Sequence, residues 1–297
     1  MIIFDVTNVC NLACVHCPQP QIKKEEDYRA TYLEVGLFRR LIDEIATFPV
    51  QLIRFTGDGE PLLHKELVSM ISYAKEKNIK TVNLTTNGTL LHKPVIESLL
   101  NAKIDVIDIS LDAFFKHSYE QVRLGGDYNR VWSNVHQLIY ERNRRHAKTK
   151  IMLSCINQDP VREEVALFEK YWKPQVDFVL IRNLHTANSL VKTDEGHEEL
   201  GQVQDRYPCP HLWKRMTIDF AGNVKFCAHD WYAGSIVTHI HDKTIQEIWQ
   251  GDKYKFFRSC HLKNTYEQIP ICNKCMDWAS VPWDHGFEKV IEKVTSG

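Results

Sequence analysis

Cys10, Cys14 and Cys17 stand in CNLACVHC, a C-x3-C-x2-C spacing directly after the apolar run Ile2–Val6. A disulfide uses two thiols and a closed tetrahedral zinc site uses four ligands. Three thiolates on one loop hold three irons of a cubane cluster and leave the fourth iron open to a substrate or cofactor. Zinc with a fourth ligand such as His16, or plain buried cysteines, are the alternatives at this point. A second set, Cys209, Cys227, Cys272 and Cys275, offers four thiolates. Four make a closed site, for an iron–sulfur cluster or for a zinc ribbon.

These residues sit in a chain of 297 residues that is 43% hydrophobic and 25% charged, ordinary values for a globular protein. The formal net charge of -1 gives no electrostatic support to nucleic-acid or membrane binding. The basic run Arg142 to Lys148 reads as a solvated helix end, where cations suit the macrodipole. No apolar stretch is long enough to span a bilayer and no charged-then-apolar leader is present, so a cytoplasmic protein is expected. Nine cysteines are an odd number, and clustered ones in a reducing compartment read as metal or redox sites.

The elements that must position them alternate. Strands are expected at Ile2–Val6, Leu52–Phe55, Thr81–Leu84, Val106–Leu111, Ile151–Ser154 and Phe178–Ile181. Helix patterns lie between them. Their apolar faces are Phe38, Leu41, Ile42 and Ile45; Leu67, Met70, Ile71 and Ala74; and Val95, Ile96, Leu99 and Leu100. Two more carry Val131, Val135, Leu138 and Ile139, then Val165, Phe168 and Trp172. Such alternation implies a parallel sheet, open or curled into a barrel, with the site at the carboxyl ends of the strands. Polar residues collect there: Thr56-Gly57-Asp58-Gly59-Glu60-Pro61 after the second strand, Thr85-Thr86-Asn87-Gly88 after the third, and Ser110-Leu111-Asp112 after the fourth. Glycines allow close backbone approach, and Glu60 can accept from an ammonium group. Residues 1–185 form this first unit, 186–207 a polar linker or lid, and 208–297 a smaller domain too thin in apolar periodicity for an obvious core and stapled by metal.

Together the CNLACVHC loop and the GDGEP segment resemble the radical S-adenosylmethionine (radical SAM) enzymes, in the C-x3-C-x2-C signature and the GGEP-type motif. His16 stands where that family usually has Tyr or Phe. The resemblance implies an α/β fold, a partial (β/α)6 TIM-like barrel. Cys10, Cys14 and Cys17 would hold a [4Fe–4S] cluster whose fourth iron chelates SAM. His16, Gly57, Gly59 and Glu60 would line SAM, with Ser110 and Asp112 near its ribose and Arg123 near its carboxylate. Cys209 is followed by twelve residues, Gly222, four residues and Cys227. This C-x(9–15)-G-x4-C opening and TIQEIWQGDKYKFFR resemble the SPASM/twitch extension, a small C-terminal iron–sulfur domain. Four cysteines plus Cys260 suit one auxiliary [4Fe–4S] cluster rather than the two of a full SPASM domain.

The function this implies is reductive cleavage of SAM to a 5′-deoxyadenosyl radical, hydrogen abstraction, and oxidation of an alcohol carbon with the auxiliary cluster as electron acceptor. A sugar or aminocyclitol is favoured over a peptide, because the chain starts almost at its first strand and leaves no leader-binding module. An electron donor such as flavodoxin or ferredoxin is implied. The alternatives are an epimerase with Cys260 or Cys155 returning a hydrogen atom, a peptide- or protein-modifying maturase or activase, and a zinc-stabilised binding module without redox chemistry.

Overall fold

The computed structural model describes residues 1–187, 190–191, 206–241, 243–280, 283–284 and 287–296. From the amino end the elements are β1 (Ile2–Phe4), α1 (Gln19–Ile22), α2 (Val35–Ile45), β2 (Leu52–Phe55), α3 (Leu67–Glu76), β3 (Thr81–Thr86) and α4 (Lys93–Asn101). Then come β4 (Val106–Ser110), α5 (Lys116–Val122), α6 (Tyr128–Arg144), β5 (Lys150–Asn157), α7 (Val165–Trp172) and β6 (Phe178–Asn183). The remainder holds α8 (His211–Lys214), β7 (Met216–Ile218), β8 (Asn223–Lys225), β9 (Ile236–His239), α9 (Ile245–Trp249), α10 (Asp252–Leu262), α11 (Pro270–Asn273) and α12 (Phe287–Ser296).

Strands β1 to β6 pair in parallel and in sequence order, giving the partial (β/α)6 barrel. Parallel strands covered on both faces are mostly apolar, and every residue of β1 and β2 is buried, Arg54 of β2 included. In α2 the four residues Phe38, Leu41, Ile42 and Ile45 are buried at one turn's spacing. The Glu34 carboxylate caps that helix by accepting from the amides of Gly36 and Leu37. Strand β1 stops before Val6 because the backbone beyond it turns to other partners: Leu33 donates to the Val6 carbonyl and Thr7 bridges to Tyr32. Strands β3 and β5 run longer than their apolar cores, since their ladders with neighbours continue through Thr86 and Asn157.

The cysteine-rich region joins the same sheet. Strand β7 pairs in parallel with the free edge of β1, and β8 and β9 follow antiparallel. One hydrophobic cluster runs from Phe4 and Phe38 through Ile218 and Val224 to Phe257 and Cys272. This explains the thin periodicity after Pro208: those residues pack onto the barrel's core. Residues 188–189 and 192–205 of the expected linker or lid lie outside the described residues. Helix α12 has no counterpart among the sequence expectations. Its Ile291 and Val294 pack on Leu52, Val106 and Met152, closing the barrel floor at the amino ends of β2 and β4. Above that floor, buried Asp108 takes Arg182 at 2.7 Å and Ser154 at 2.5 Å, with Arg54 at 3.6 Å. The Arg54 guanidinium lies 3.6 Å from the Phe287 ring of α12. Burial, reinforced by Arg182, pushes Arg54 down to about 9.

The Phe38 ring lies 4.9 Å from Phe4 and 5.6 Å from Phe55, and Phe38 is fully buried. Phe38→Ala should therefore lower stability by about 3–5 kcal/mol in denaturant unfolding of the apo-protein. A loss of less than about 1 kcal/mol would mean that this site collapses to fill the space.

Candidate functional site

Cys10, Cys14 and Cys17 occupy the loop that leaves β1 at its carboxyl end. The loop is fixed by neighbours on both sides. Ala13 and Val15 donate to the carbonyls of Leu124 and Val122, and Glu60 donates its amide to the Val9 carbonyl. Asn11 donates to Thr89 and accepts from Asn87. Burial raises all three thiols, Cys17 to about 12, and Cys14 and Cys10 each push Cys17 further up. Stabilising groups are nonetheless aimed at the sulfurs: the Leu12 amide at Cys10, the Gln19 amide at Cys17, and Arg123 Nη1 at 3.8 Å from Cys14 Sγ. Thiols that repel one another when ionised, yet have donors in place, suit a cationic iron centre that drives their deprotonation. The donor set fits the three-thiolate cluster.

The GDGEP glycines face protein. A Cβ on Gly59 would lie 2.4 Å from the Val9 carbonyl oxygen, and Gly57 has φ +141° with Asp5 Oδ1 at 2.1 Å from a built Cβ. Their small size thus lets the segment press on β1 and the cysteine loop. Buried Glu60 accepts from Thr86 Oγ1 (2.6 Å), the Asn87 amide (2.7 Å) and the Leu62 amide (3.1 Å). Three of its roughly four acceptor positions are filled, which leaves one for a further donor. Ser110 ends β4, half-buried. Asp112 follows with φ 63° and is buried. It takes Arg123 Nε at 2.7 Å and Nη2 at 2.5 Å, and the Ile156 amide at 2.9 Å. Burial would raise the Asp112 carboxyl, but the Arg123 and His16 charges and the hydrogen bonds from Ile156 and Arg123 together outweigh it and hold the group below its usual value. His16 Nδ1 accepts from Gln158 at 3.0 Å while Nε2 faces Asp112 at 3.5 Å, and burial lowers its pKa. His16, Asp112, Arg123 and Cys14 therefore form one contiguous group, with Gln158 a member that the sequence reading missed.

The second set converges too. Cys209, Cys227, Cys272 and Cys275 line one cavity together with Arg206, His211, His229 and His261. Burial raises all four thiols, Cys272 to about 12, and Cys209, Cys275 and Cys272 each raise Cys227 further. Backbone amides of His211 and His229 point at Cys209 and Cys227, and those of Trp278 and Asp277 at Cys275. Four mutually repelling, amide-supported thiols fit a closed cluster. Beside them His185, His229 and Asp277 bring ligand-type atoms within 4.8 Å of one another. Asp277 accepts from Thr186 N and Oγ1, which ties the chain beyond β6 to the cysteine cavity. The short spacings Cys227-Ala-His229 and Cys275-Met-Asp277 were the available signal for this group.

Neither Cys155 nor Cys260 lines the four-cysteine cavity. Each is buried in the main hydrophobic cluster. Cys155 Sγ donates to the Asp112 carbonyl at 2.8 Å, and Cys260 Sγ lies 3.8 Å from Gln268 Oε1. Asp230 is spent on the following turn, where it accepts from Tyr232, Gly234 and Ser235.

Residues 4–172 match the radical SAM superfamily, and residues 209–276 match the iron–sulfur cluster-binding domain SPASM. Over 169 residues the chain is 31% identical to GTP 3′,8-cyclase of Clostridium botulinum, covering 56% of this chain and 51% of that protein. The chain spans about half the length of the curated relatives it matches. BtrN, solved in complex with AdoMet and 2-DOIA, superposes with a TM-score of 0.61 at 18% identity, covering 93% of this chain and 92% of that one. Streptococcus suis SuiB bound to precursor peptide SuiA gives a TM-score of 0.71 at 14% identity over 87% of this chain and 66% of that one. At these identities the solved structures speak for the fold. No helix among the described residues is long and apolar enough to cross a membrane. The chain belongs to the radical SAM superfamily and carries a C-terminal SPASM domain; its cofactors are S-adenosylmethionine, a [4Fe–4S] cluster and auxiliary iron–sulfur.

Proposed function

We propose that the protein is a cytoplasmic radical SAM oxidoreductase that converts an alcohol carbon of a small polyol, a sugar or an aminocyclitol, to a carbonyl. The observation that carries this reading is the closed four-cysteine cavity joined to the end of β6 through Thr186 and Asp277. A site with four thiolates has no open ligand position, so it suits electron uptake rather than substrate activation. Cys10, Cys14 and Cys17 would hold a cluster at which bound SAM would supply a 5′-deoxyadenosyl radical for hydrogen abstraction, and Cys209, Cys227, Cys272 and Cys275 a cluster that would take up the remaining electron as the hydroxyl proton leaves.

The chain's own contribution is orientation and exclusion of water. Cys10, Cys14 and Cys17 hold the first cluster, and Cys209, Cys227, Cys272 and Cys275 the second, with residues 1–185 as the barrel, α12 as its floor, and the rest of 208–297 as the auxiliary domain. Glu60 offers its remaining acceptor position to the SAM ammonium. The Asp112–Arg123 pair, His16, Ser110, Gly57 and Gly59 shape the rest of that pocket. Burial of the Cys155 and Cys260 thiols supports oxidation over epimerisation, because returning a hydrogen atom needs a thiol open to the substrate. The BtrN complex with AdoMet and 2-DOIA supports a small-molecule substrate. A flavodoxin or ferredoxin would serve as electron donor.

Anaerobic protein given SAM, reductant and deuterated candidate polyols should form 5′-deoxyadenosine carrying deuterium, with one carbonyl product. Colourless protein holding only zinc would overturn the reading. So would intact SAM cleavage without polyol turnover but with modification of a peptide or protein partner. Cys10→Ala should abolish SAM cleavage, measured as loss of 5′-deoxyadenosine. Cys272→Ala should leave abortive cleavage while stopping carbonyl formation; normal oxidation by that variant would remove the electron-acceptor role.

A further inference from the structure

The cavity of the four cysteines contains a histidine whose tautomer the backbone fixes. The Cys209 amide donates to His261 Nδ1 at 3.2 Å. An amide nitrogen can only donate, so Nδ1 is the unprotonated nitrogen and the ring proton sits on Nε2. His261 is buried at 1% exposure, and its Nε2 has no hydrogen-bond partner among the described residues. A buried N–H without an acceptor is rare in folded proteins and calls for a partner.

Two neighbours on the same cavity share this condition. Arg206 stacks 3.8 Å over the Tyr266 ring and donates Nη1 to the Cys272 carbonyl, but its buried Nε has no partner. His211 is 4% exposed with both ring nitrogens unpartnered. Arg206 and His261 therefore add unused donors, and His211 adds one more N–H in either tautomer. Donors converging on a cavity lined by four thiols call for an acceptor with several lone pairs and negative charge. Sulfides and cysteinyl sulfurs of an iron–sulfur cluster meet that description.

We infer that His261 donates its Nε2–H to a sulfur of the auxiliary cluster and sets that cluster's reduction potential, supported by Arg206 and His211. The inference rests on the proposed auxiliary cluster at Cys209, Cys227, Cys272 and Cys275. One-electron reduction adds negative charge to the cluster, and a fixed N–H dipole favours the more negative form. Hydrogen bonds to the sulfurs thus raise the potential. The consequence is a better electron acceptor for a substrate radical. His261 is a tuning residue that leaves the four ligands unchanged.

The test uses the full chain with Cys10, Cys14 and Cys17 all replaced by Ala, so that only the auxiliary cluster remains, reconstituted anaerobically. Iron and sulfide must first be present; protein that takes up only zinc overturns the four-cysteine reading, and this inference with it. EPR-monitored redox titration then compares His261 with His261→Phe. The Phe variant should shift to lower potential, by about tenfold in the one-electron equilibrium constant, equivalent to about 59 mV. An unchanged midpoint in a variant that retains its iron overturns the inference while leaving the cluster assignment intact. If His261→Phe fails to hold the cluster, the histidine-intact protein decides. In the His211→Phe background with 15N-labelled histidine, a histidine nitrogen and an exchangeable proton should couple to the reduced cluster. Absence of that coupling overturns the inference.

Discussion

Asp5 is the point on which both halves of the site depend. It follows β1 immediately, is buried, and donates its amide to the Ile218 carbonyl of β7. Its carboxylate accepts from the Asp58 amide in the GDGEP segment at 2.9 Å, and Lys225 of β8 lies 3.9 Å away. The same lysine reaches Asp58 at 3.4 Å. One buried residue thus binds the strand that launches the first cysteine loop, the glycine segment that presses on it, and the hairpin that leads to Cys227. Burial, and then the Asp58 charge, raise the Asp5 carboxyl well above its usual range, while Lys225 pulls the other way. Lys225 is in turn held above its ordinary value: burial would lower it, but Asp58, Asp5, Asp219 and Asp230 together prevail. Two carboxyl groups around one ammonium make a compact electrostatic joint, and removing the lysine would leave both buried without their cation.

That joint explains why the cysteine-rich region has no independent core. The free edge of β1 must be covered, since an unpaired edge strand exposes a row of backbone donors and acceptors. Strand β7 covers it in parallel, which carries the barrel's hydrophobic cluster directly into the auxiliary region. The opening of the partial barrel at its amino end is handled separately by α12, whose apolar stripe forms the floor. The polar layer of Arg54, Asp108, Ser154 and Arg182 lies above that floor, so the interior changes from oily to charged toward the carboxyl ends of the strands.

How much of this was legible depended on whether the signal was local. The six barrel strands and the helix faces Phe38 to Ile45 and Leu67 to Ala74 could be read, because burial on both faces or on one stripe dictates composition directly. Cysteine spacing was legible in the first loop and in the Cys272–Cys275 pair, whose thiols are close along the chain, whereas Cys209 and Cys227 stand far apart in sequence and meet them only in the fold. Helix α12 was not, since a ten-residue amphipathic segment acquires meaning only from the barrel it plugs. Strands β7 to β9 are three or four residues long, too short for a period of two to stand out. Glu60 and the glycines follow β2, but their contacts are with Thr86, Asn87, Val9 and Asp5, partners distant in sequence.

The pairing of Asp112 with Arg123 shows how structure and chemistry compete for the same residues. A non-glycine residue at φ 63° is costly, by roughly 1–3 kcal/mol for strained backbone positions. The strain persists because the turn aims both carboxylate oxygens at fixed donors, the Arg123 fork and the Ile156 amide. Arg123 is thereby held against Cys14, where its charge favours the thiolate needed for a cluster. A guanidinium already neutralised by Asp112 attracts a SAM carboxylate less strongly than a free one would. Its charge also draws the Cys14 thiol down, against the burial that keeps it raised and the Asp112 charge that pushes it up. The strand-end turn after β4 thus ties Asp112, Arg123 and Cys14 into one charged group.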